Sequence, residues 1–267
     1  MPSLSFLLAY LAFGAVAGVI AGLLGVGGGI VVVPALFWFF TAQGFSQDVI
    51  MQMALGTSLA AIAFTSISSF RAHHRRGAVL WPIVKAITPG ILVGTFAGSC
   101  VAARLPTAFL KGFFVCFLYY VAIQMLMNIK PKPTRQIPGR LGMFGAGLGI
   151  GAVSSFVGIG GGTMSVPFMV WCNVAMHTAV GTSAAIGLPI ALAGALGYVI
   201  NGMGAPGVPS WSLGYVYLPA LVGIAAVSVL TAPYGARLAH KLPVATLKRF
   251  FAVFLLAMAT RMLWGML

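Results

Sequence analysis

Two glycine clusters set in apolar sequence limit what this chain can become. Gly25-Val26-Gly27-Gly28-Gly29 ends an apolar run of helix length and is followed by Pro34. Gly158-Ile159-Gly160-Gly161-Gly162 and Pro167 repeat both landmarks at a constant offset of 133 residues. Glycine weakens an apolar helix, and is of use there where the backbone must open or let another segment approach closely. Two openings at matched places indicate a membrane-embedded unit that occurs twice.

Composition fixes the solvent. The chain has 267 residues, of which 60% are hydrophobic and 6% charged, and its mean hydropathy is +1.06. Soluble domains carry about 25% charged residues, so the class expected is an all-α integral membrane protein. The first apolar run, Leu4 to Leu24, has no basic segment before it and is expected to be a retained helix, not a cleaved signal peptide. Cys100, Cys116 and Cys172 lie singly in apolar runs, which suits small packing residues and gives no metal-ligand spacing. No metal and no cofactor is expected.

The repeat can be followed along the chain. After the first cluster comes a short piece, Ile30 to Thr41, too short to cross a hydrocarbon core of about 30 Å. A polar loop, 43–52, leads to a segment from Met53 to Phe70 that opens on Gly56-Thr57-Ser58, and a basic loop, Arg71 to Gly77, follows. Two more segments cover about 80–103 and 105–127. The second cluster is likewise followed by a short piece, 163–173, and then by Gly181-Thr182-Ser183. Leu242-Pro243 begins the last segment as Leu105-Pro106 begins the fifth. The expected organisation is a first repeat at 1–127, a basic Pro-containing cytoplasmic linker at 128–140, and a second repeat at 141–267. Each repeat has about five segments, giving eight to ten transmembrane segments with the short broken or re-entrant pieces included.

Charge chooses the orientation. There are fifteen Lys and Arg against one acid, Asp48. Most of the basic residues lie in short loops between apolar runs, so the positive-inside rule accounts for them without nucleic acid. The loop at 71–77 is basic and its counterpart at 201–212 is uncharged, whereas the turn at 237–249 is more basic than its counterpart at 104–111. A basic loop that changes place between halves is expected of an inverted repeat. Only Arg104, Lys111 and Arg261 then lie outside, and both termini are extracytoplasmic. Lys85 and Arg261, within apolar runs, are expected to snorkel toward a surface.

The candidate chemistry is anion binding. A short helix starting after a glycine cluster presents unpaired N–H groups and the positive end of its dipole. Gly-Thr-Ser reads as a second break, whose hydroxyls can cap a helix or donate. An inverted repeat would bring both sets together at the midplane. The competing account of clustered small residues is close helix packing. Arg71, His73 and His74 are candidates for an electropositive vestibule, against the plainer role of setting topology, and His177 is a candidate proton carrier. No acid falls within an apolar segment. Outward movement of one negative charge gains about 2.3 kcal/mol per 100 mV with the cytoplasm negative, so export of an anion needs none. There is no nucleophile–base pairing, and the first cluster lacks the Lys-Ser/Thr ending of a phosphate loop, so an enzyme is not expected.

These residues resemble the TauE/SafE sulfite exporter family. The resemblance rests on Gly-Leu-Leu-Gly-Val-Gly-Gly-Gly at 22–29 with Pro34, Ala-Leu-Gly-Thr-Ser at 54–58, and their second copies at 157–162 with Pro167 and at 179–183. It implies a multi-pass transporter of the bacterial inner membrane that exports small sulfur-containing anions, sulfite or C2 sulfonates such as sulfoacetate. Its site would comprise Gly27, Gly28, Gly29, Thr57 and Ser58 with Gly160, Gly161, Gly162, Thr182 and Ser183. The partners implied are the substrate anion and the lipid bilayer, and a homo-oligomer is compatible with them. An anion channel, or a membrane subunit of a larger assembly, is the alternative.

Overall fold

The computed structural model describes residues 3–24, 28–127, 134–239 and 244–265. Ten helices make up almost all of it: α1 (Leu4–Leu24), α2 (Gly29–Ala42), α3 (Ile50–Arg75), α4 (Trp81–Ala102), α5 (Thr107–Leu126), α6 (Arg140–Val157), α7 (Gly162–Trp171), α8 (Met176–Gly202), α9 (Leu218–Ala239) and α10 (Val244–Trp264). Seven of them, α1, α3 to α6, α8 and α9, are long and apolar enough to cross a membrane, and α10 has 21 residues. At 1.5 Å per residue, α2 and α7, with 14 and 10 residues, reach only about 21 Å and 15 Å and cannot span. Large apolar side chains such as Leu92, Phe96, Tyr120, Leu196 and Val222 cover the outside, as lipid contact requires. The structure is therefore that of a polytopic all-α membrane protein.

Several helix ends follow from local chemistry. Pro82 sits in the first turn of α4 and Pro106 precedes α5, positions where a missing N–H costs no helical hydrogen bond. Gly158 ends α6 in the left-handed region at φ 67°. Gly28 and Gly161 precede α2 and α7 with nearly identical left-handed backbones, φ 72° and 77°. A β-carbon is strained there, which explains why glycine recurs at that offset.

Three expectations are corrected. Gly56-Thr57-Ser58 and Gly181-Thr182-Ser183 are not helix breaks: both lie within continuous helices, α3 and α8. The basic stretch after Phe70 is not a loop as far as Arg75. Arg71, His73 and His74 belong to the last turns of α3, where positive charge complements the helix dipole. The uncharged loop expected at 201–212 runs on to Tyr217, and the next helix begins only at Leu218, because Ser212-Leu213 pairs with Val216-Tyr217 in a small antiparallel hairpin, β1 with β2.

Helix α3 is the most enclosed span, 89% buried over its apolar stretch against 28% for α1. It packs on α8, and the two run antiparallel, with Gly56 against Tyr198, Leu59 against Gly194, and Ser66 against Gly187. Around this pair α1 packs on α9 and α4 on α6, both parallel. The α4–α6 seam is a stripe of small residues: a β-carbon on Gly90, Gly94 or Gly98 would lie 2.0 to 2.3 Å from atoms of Phe144, Leu148 or Ser155. Here close packing is the whole reason for glycine. Helices α5 and α10 also cross antiparallel, tied by a hydrogen bond between the Tyr119 and Thr260 hydroxyls and by Lys111 Nζ donating to the Gly265 carbonyl (2.8 Å).

Candidate functional site

The two glycine clusters meet. A β-carbon on Gly29 would lie 2.5 Å from the Gly158 carbonyl oxygen and 3.0 Å from Ile159 Cα, and one on Gly158 would meet Val33 and Leu55. Ser58 Oγ donates to that same Gly158 carbonyl (2.8 Å) from one hundred residues away. Gly187 of α8 lies against the Gly160 carbonyl, with Ser66 Oγ alongside. Gly28, Gly29, Ser58, Gly160, Gly161, Gly162 and Ser183 are all buried, and Gly27 lies outside the described residues.

From this junction the two short helices run outward and end alike. Trp38, near the end of α2, carries the Arg261 guanidinium at 5.1 Å from its ring, and Trp171, the last residue of α7, carries that of Arg135 at 5.2 Å. The positions correspond at the offset of the glycine clusters. Trp171 also donates from Nε1 to Thr134 Oγ1 (3.0 Å). Rings of this kind, polar at one edge and apolar elsewhere, favour the level of the lipid headgroups.

The Gly-Thr-Ser motifs have a role that the sequence does not disclose. Gly56 admits the Tyr215 carbonyl, and Thr57 Oγ1 accepts the Tyr217 N–H just before α9 (2.9 Å). Gly181 admits the Ala78 carbonyl, and Thr182 Oγ1 accepts the Leu80 N–H just before α4 (3.0 Å). Each motif thus holds the start of a helix from the other half of the chain: the glycine removes the β-carbon that would block a carbonyl, and the threonine takes the N–H two residues later. Ser183 Oγ accepts from Ser165 Oγ of α7 (2.8 Å).

The vestibule and proton-carrier candidates lie away from the junction. Arg71 and His74 are exposed at the end of α3, and His74 Nδ1 accepts the Trp81 Nε1 proton (3.3 Å). His73 is half-buried on the same turn. His177 is exposed in the first turn of α8 beside Thr178. Since α3 and α8 are antiparallel, all four share one end of the bundle. Lys85 is exposed in the first turns of α4, at that end as well. Asp48 is exposed between α2 and α3.

Two features near the clusters escaped the sequence reading. A cavity of about 10 Å³, at the lower limit for admitting one water molecule, lies beside Gly28 and is bordered by Ala21, Val32, Thr65 and Ser228 among others. At the second cluster, Ser154 Oγ and Thr163 Oγ1 are buried atoms with no hydrogen-bond partner. Aligning the halves at offset 133 sets Ser154 opposite Ala21 and Thr163 opposite Ile30, a mismatch that the sequence alone could have flagged.

Comparison with known proteins agrees with this architecture. The family described as sulfite exporter TauE/SafE matches residues 10–262. A "probable membrane transporter protein" of Haemophilus influenzae is 38% identical over 260 residues, covering 97% of this chain and 98% of its own. Proteins with the same description are 29% identical in Bacillus subtilis, over 71% of this chain and 77% of the relative, and 27% identical in Methanocaldococcus jannaschii, over 86% and 85%. No solved structure matches the chain. With the family spanning nearly the whole bundle, the chain belongs to the TauE/SafE sulfite exporter family and is a multi-pass membrane transporter.

Proposed function

We propose that the protein is a secondary transporter that exports a small sulfur-containing anion, sulfite or a C2 sulfonate such as sulfoacetate, across a bacterial inner membrane. The observation that carries this reading is the junction: two short helices, each opened by a left-handed glycine, start from one point inside the bundle and run out to ends marked by matched Trp–Arg stacks. Helix starts of this kind favour anions, and oppositely directed half-helices at the midplane are the usual site of carriers built from inverted repeats. The antiparallel crossings of α3 with α8 and of α5 with α10 support the inverted arrangement. A two-fold axis in the membrane plane reverses a helix, whereas an axis along the normal does not.

In this reading Gly28, Gly29, Ser58, Gly160, Gly161, Gly162 and Ser183 surround the anion's path, and Thr57 and Thr182 anchor α9 and α4. Arg71, Arg75 and Arg76 mark the cytoplasmic end, which puts both termini outside. The test is flux into proteoliposomes holding the purified protein, screened with sulfite, thiosulfate, sulfoacetate, isethionate, taurine and simple carboxylates. Saturable flux of a sulfur anion is expected, and Gly161→Leu abolishes it without loss of membrane insertion. Unitary currents would make the protein a channel, and normal flux in Gly161→Leu would leave the clusters as packing.

A further inference from the structure

The two junctions share a backbone but not a lining, and the difference singles out one residue. Ser154, in the last turn of α6, is fully buried, and its hydroxyl has no partner. Its own carbonyl accepts the N–H groups of Gly158 (2.8 Å) and Ile159 (3.3 Å), so the turn that carries it is fixed. Its Oγ lies 3.7 Å from the point that a β-carbon on Gly161 would occupy, and so faces the start of α7. There the Gly161 carbonyl receives the N–H groups of Met164 and Ser165, which close the first turn. Among the described residues no backbone carbonyl accepts the N–H groups of Gly161, Gly162 or Thr163. A buried hydroxyl left unpaired costs free energy, and a polar group kept so beside unpaired N–H groups suits a ligand that is absent for part of a cycle. Ile190 Cδ1 covers the spot, 2.3 Å from the same β-carbon point on Gly161.

Resting on the transport reading above, we propose that Ser154 is a substrate ligand. Its hydroxyl donates to one oxygen of a sulfite or sulfonate group whose other oxygens take the N–H groups of Gly161 and Gly162, and the anion enters when Ile190 swings away. The first junction, with Ala21 in the place of Ser154, makes no equivalent contact.

The test compares Ser154→Ala, Ser154→Thr, Ile190→Ala and the control Ser155→Ala in proteoliposomes, with radiolabelled sulfite and sulfoacetate as probes and thermal unfolding as a second readout. Ser155 is one residue away, and its hydroxyl is already bonded to the Ala152 carbonyl. Ser154→Ala raises KM roughly tenfold, as loss of a hydrogen bond to a charged group should. Its Tm without substrate is equal to or above wild type, because the hydroxyl removed was unpaired. Ser154→Thr stays near the wild-type KM, Ile190→Ala lowers KM, and Ser155→Ala leaves it unchanged. A wild-type KM in Ser154→Ala, or a lowered Tm as its only effect, overturns the proposal. If Gly161→Leu is inactive while Ser154→Ala has a normal KM, the transport site stands and the Ser154 assignment alone falls. If the wild-type protein carries neither anion, both fall.

Discussion

The α1–α2 and α6–α7 junctions are the same backbone device with different chemistry inside. Gly28 and Gly161 differ by only 5° in φ, and each opens a short helix with proline at its sixth residue. Around Gly28 the side chains are those of Ala21, Val32 and Thr65, with a small void among them. Around Gly161 the corresponding positions are Ser154, Ser165 and Ile190, and the void is filled by the isoleucine. The first turns of the short helices diverge in the same sense: α2 begins Gly-Ile-Val-Val and α7 begins Gly-Thr-Met-Ser. Both junctions have what the backbone needs, the left-handed glycine, but their polar groups sit in different places: Thr65 and Ser228 beside Gly28, Ser154 beside Gly161. The lesson is that the same backbone turn need not bring the same side-chain chemistry.

The strongest way to strain this comparison is to put a β-carbon on each hinge. Gly28→Ala and Gly161→Ala each force a non-glycine residue into the left-handed region, a cost of roughly 1–2 kcal/mol. The neighbours decide the rest, a further cost of about 1–3 kcal/mol where they cannot give way. At Gly28 the new atom meets Ala21 Cβ at 2.9 Å, an atom fixed to the backbone of α1. At Gly161 it meets Ile190 Cδ1, the far end of a side chain that can turn aside. Gly28→Ala is therefore the more damaging change in thermal unfolding, although the nominal contact at Gly161 is shorter. The reverse order would show that Ile190 is held rigidly and is no movable cover.

A smaller effect tests the Gly-Thr-Ser anchors. Thr57→Val leaves the buried Tyr217 N–H without an acceptor, a loss of about 1–3 kcal/mol. Thr182→Val removes the same contact from Leu80, which is only half-buried, so the loss is nearer the low end. Equal losses would mean that the start of α4 is as dry as that of α9.

The smallest difference expected is at the membrane faces. Removing either stack by Arg135→Gln or Arg261→Gln costs about 0.5–1 kcal/mol. Trp171→Phe should cost about 1 kcal/mol more than Trp38→Phe, since only Trp171 spends its Nε1 proton on a protein partner, Thr134. Matching values for the two tryptophans would show that this hydrogen bond is replaced freely by water.

Much of the fold was legible in the residues. Hydropathy alone bounded α1 at Leu4–Leu24, and the Leu105-Pro106 pair located the start of α5. The short second and seventh helices followed from the distance between each glycine cluster and the next polar residues. Gly-Thr-Ser misled because glycine in an apolar run has two uses, opening a helix or admitting a neighbour, and local sequence does not separate them. The hairpin at Ser212–Tyr217 was missed because two-residue strands are too short for alternation to register. Helix α3 outran its expected end at Phe70 because His73, His74 and Arg75 suit a helix C-terminus as well as a loop.

By itself the sequence determined the solvent, the helical class and the two glycine turns. Each of these rests on properties of consecutive residues: apolar length, sparse charge, and a backbone angle that only glycine adopts without strain. The tertiary structure alone decided what those residues touch. Ser58 finds Gly158, Thr57 finds Tyr217 and Thr182 finds Leu80 across one hundred residues or more, and the Ser154 hydroxyl finds no partner. Pairings at that separation depend on how whole helices cross, and no local pattern encodes the crossing.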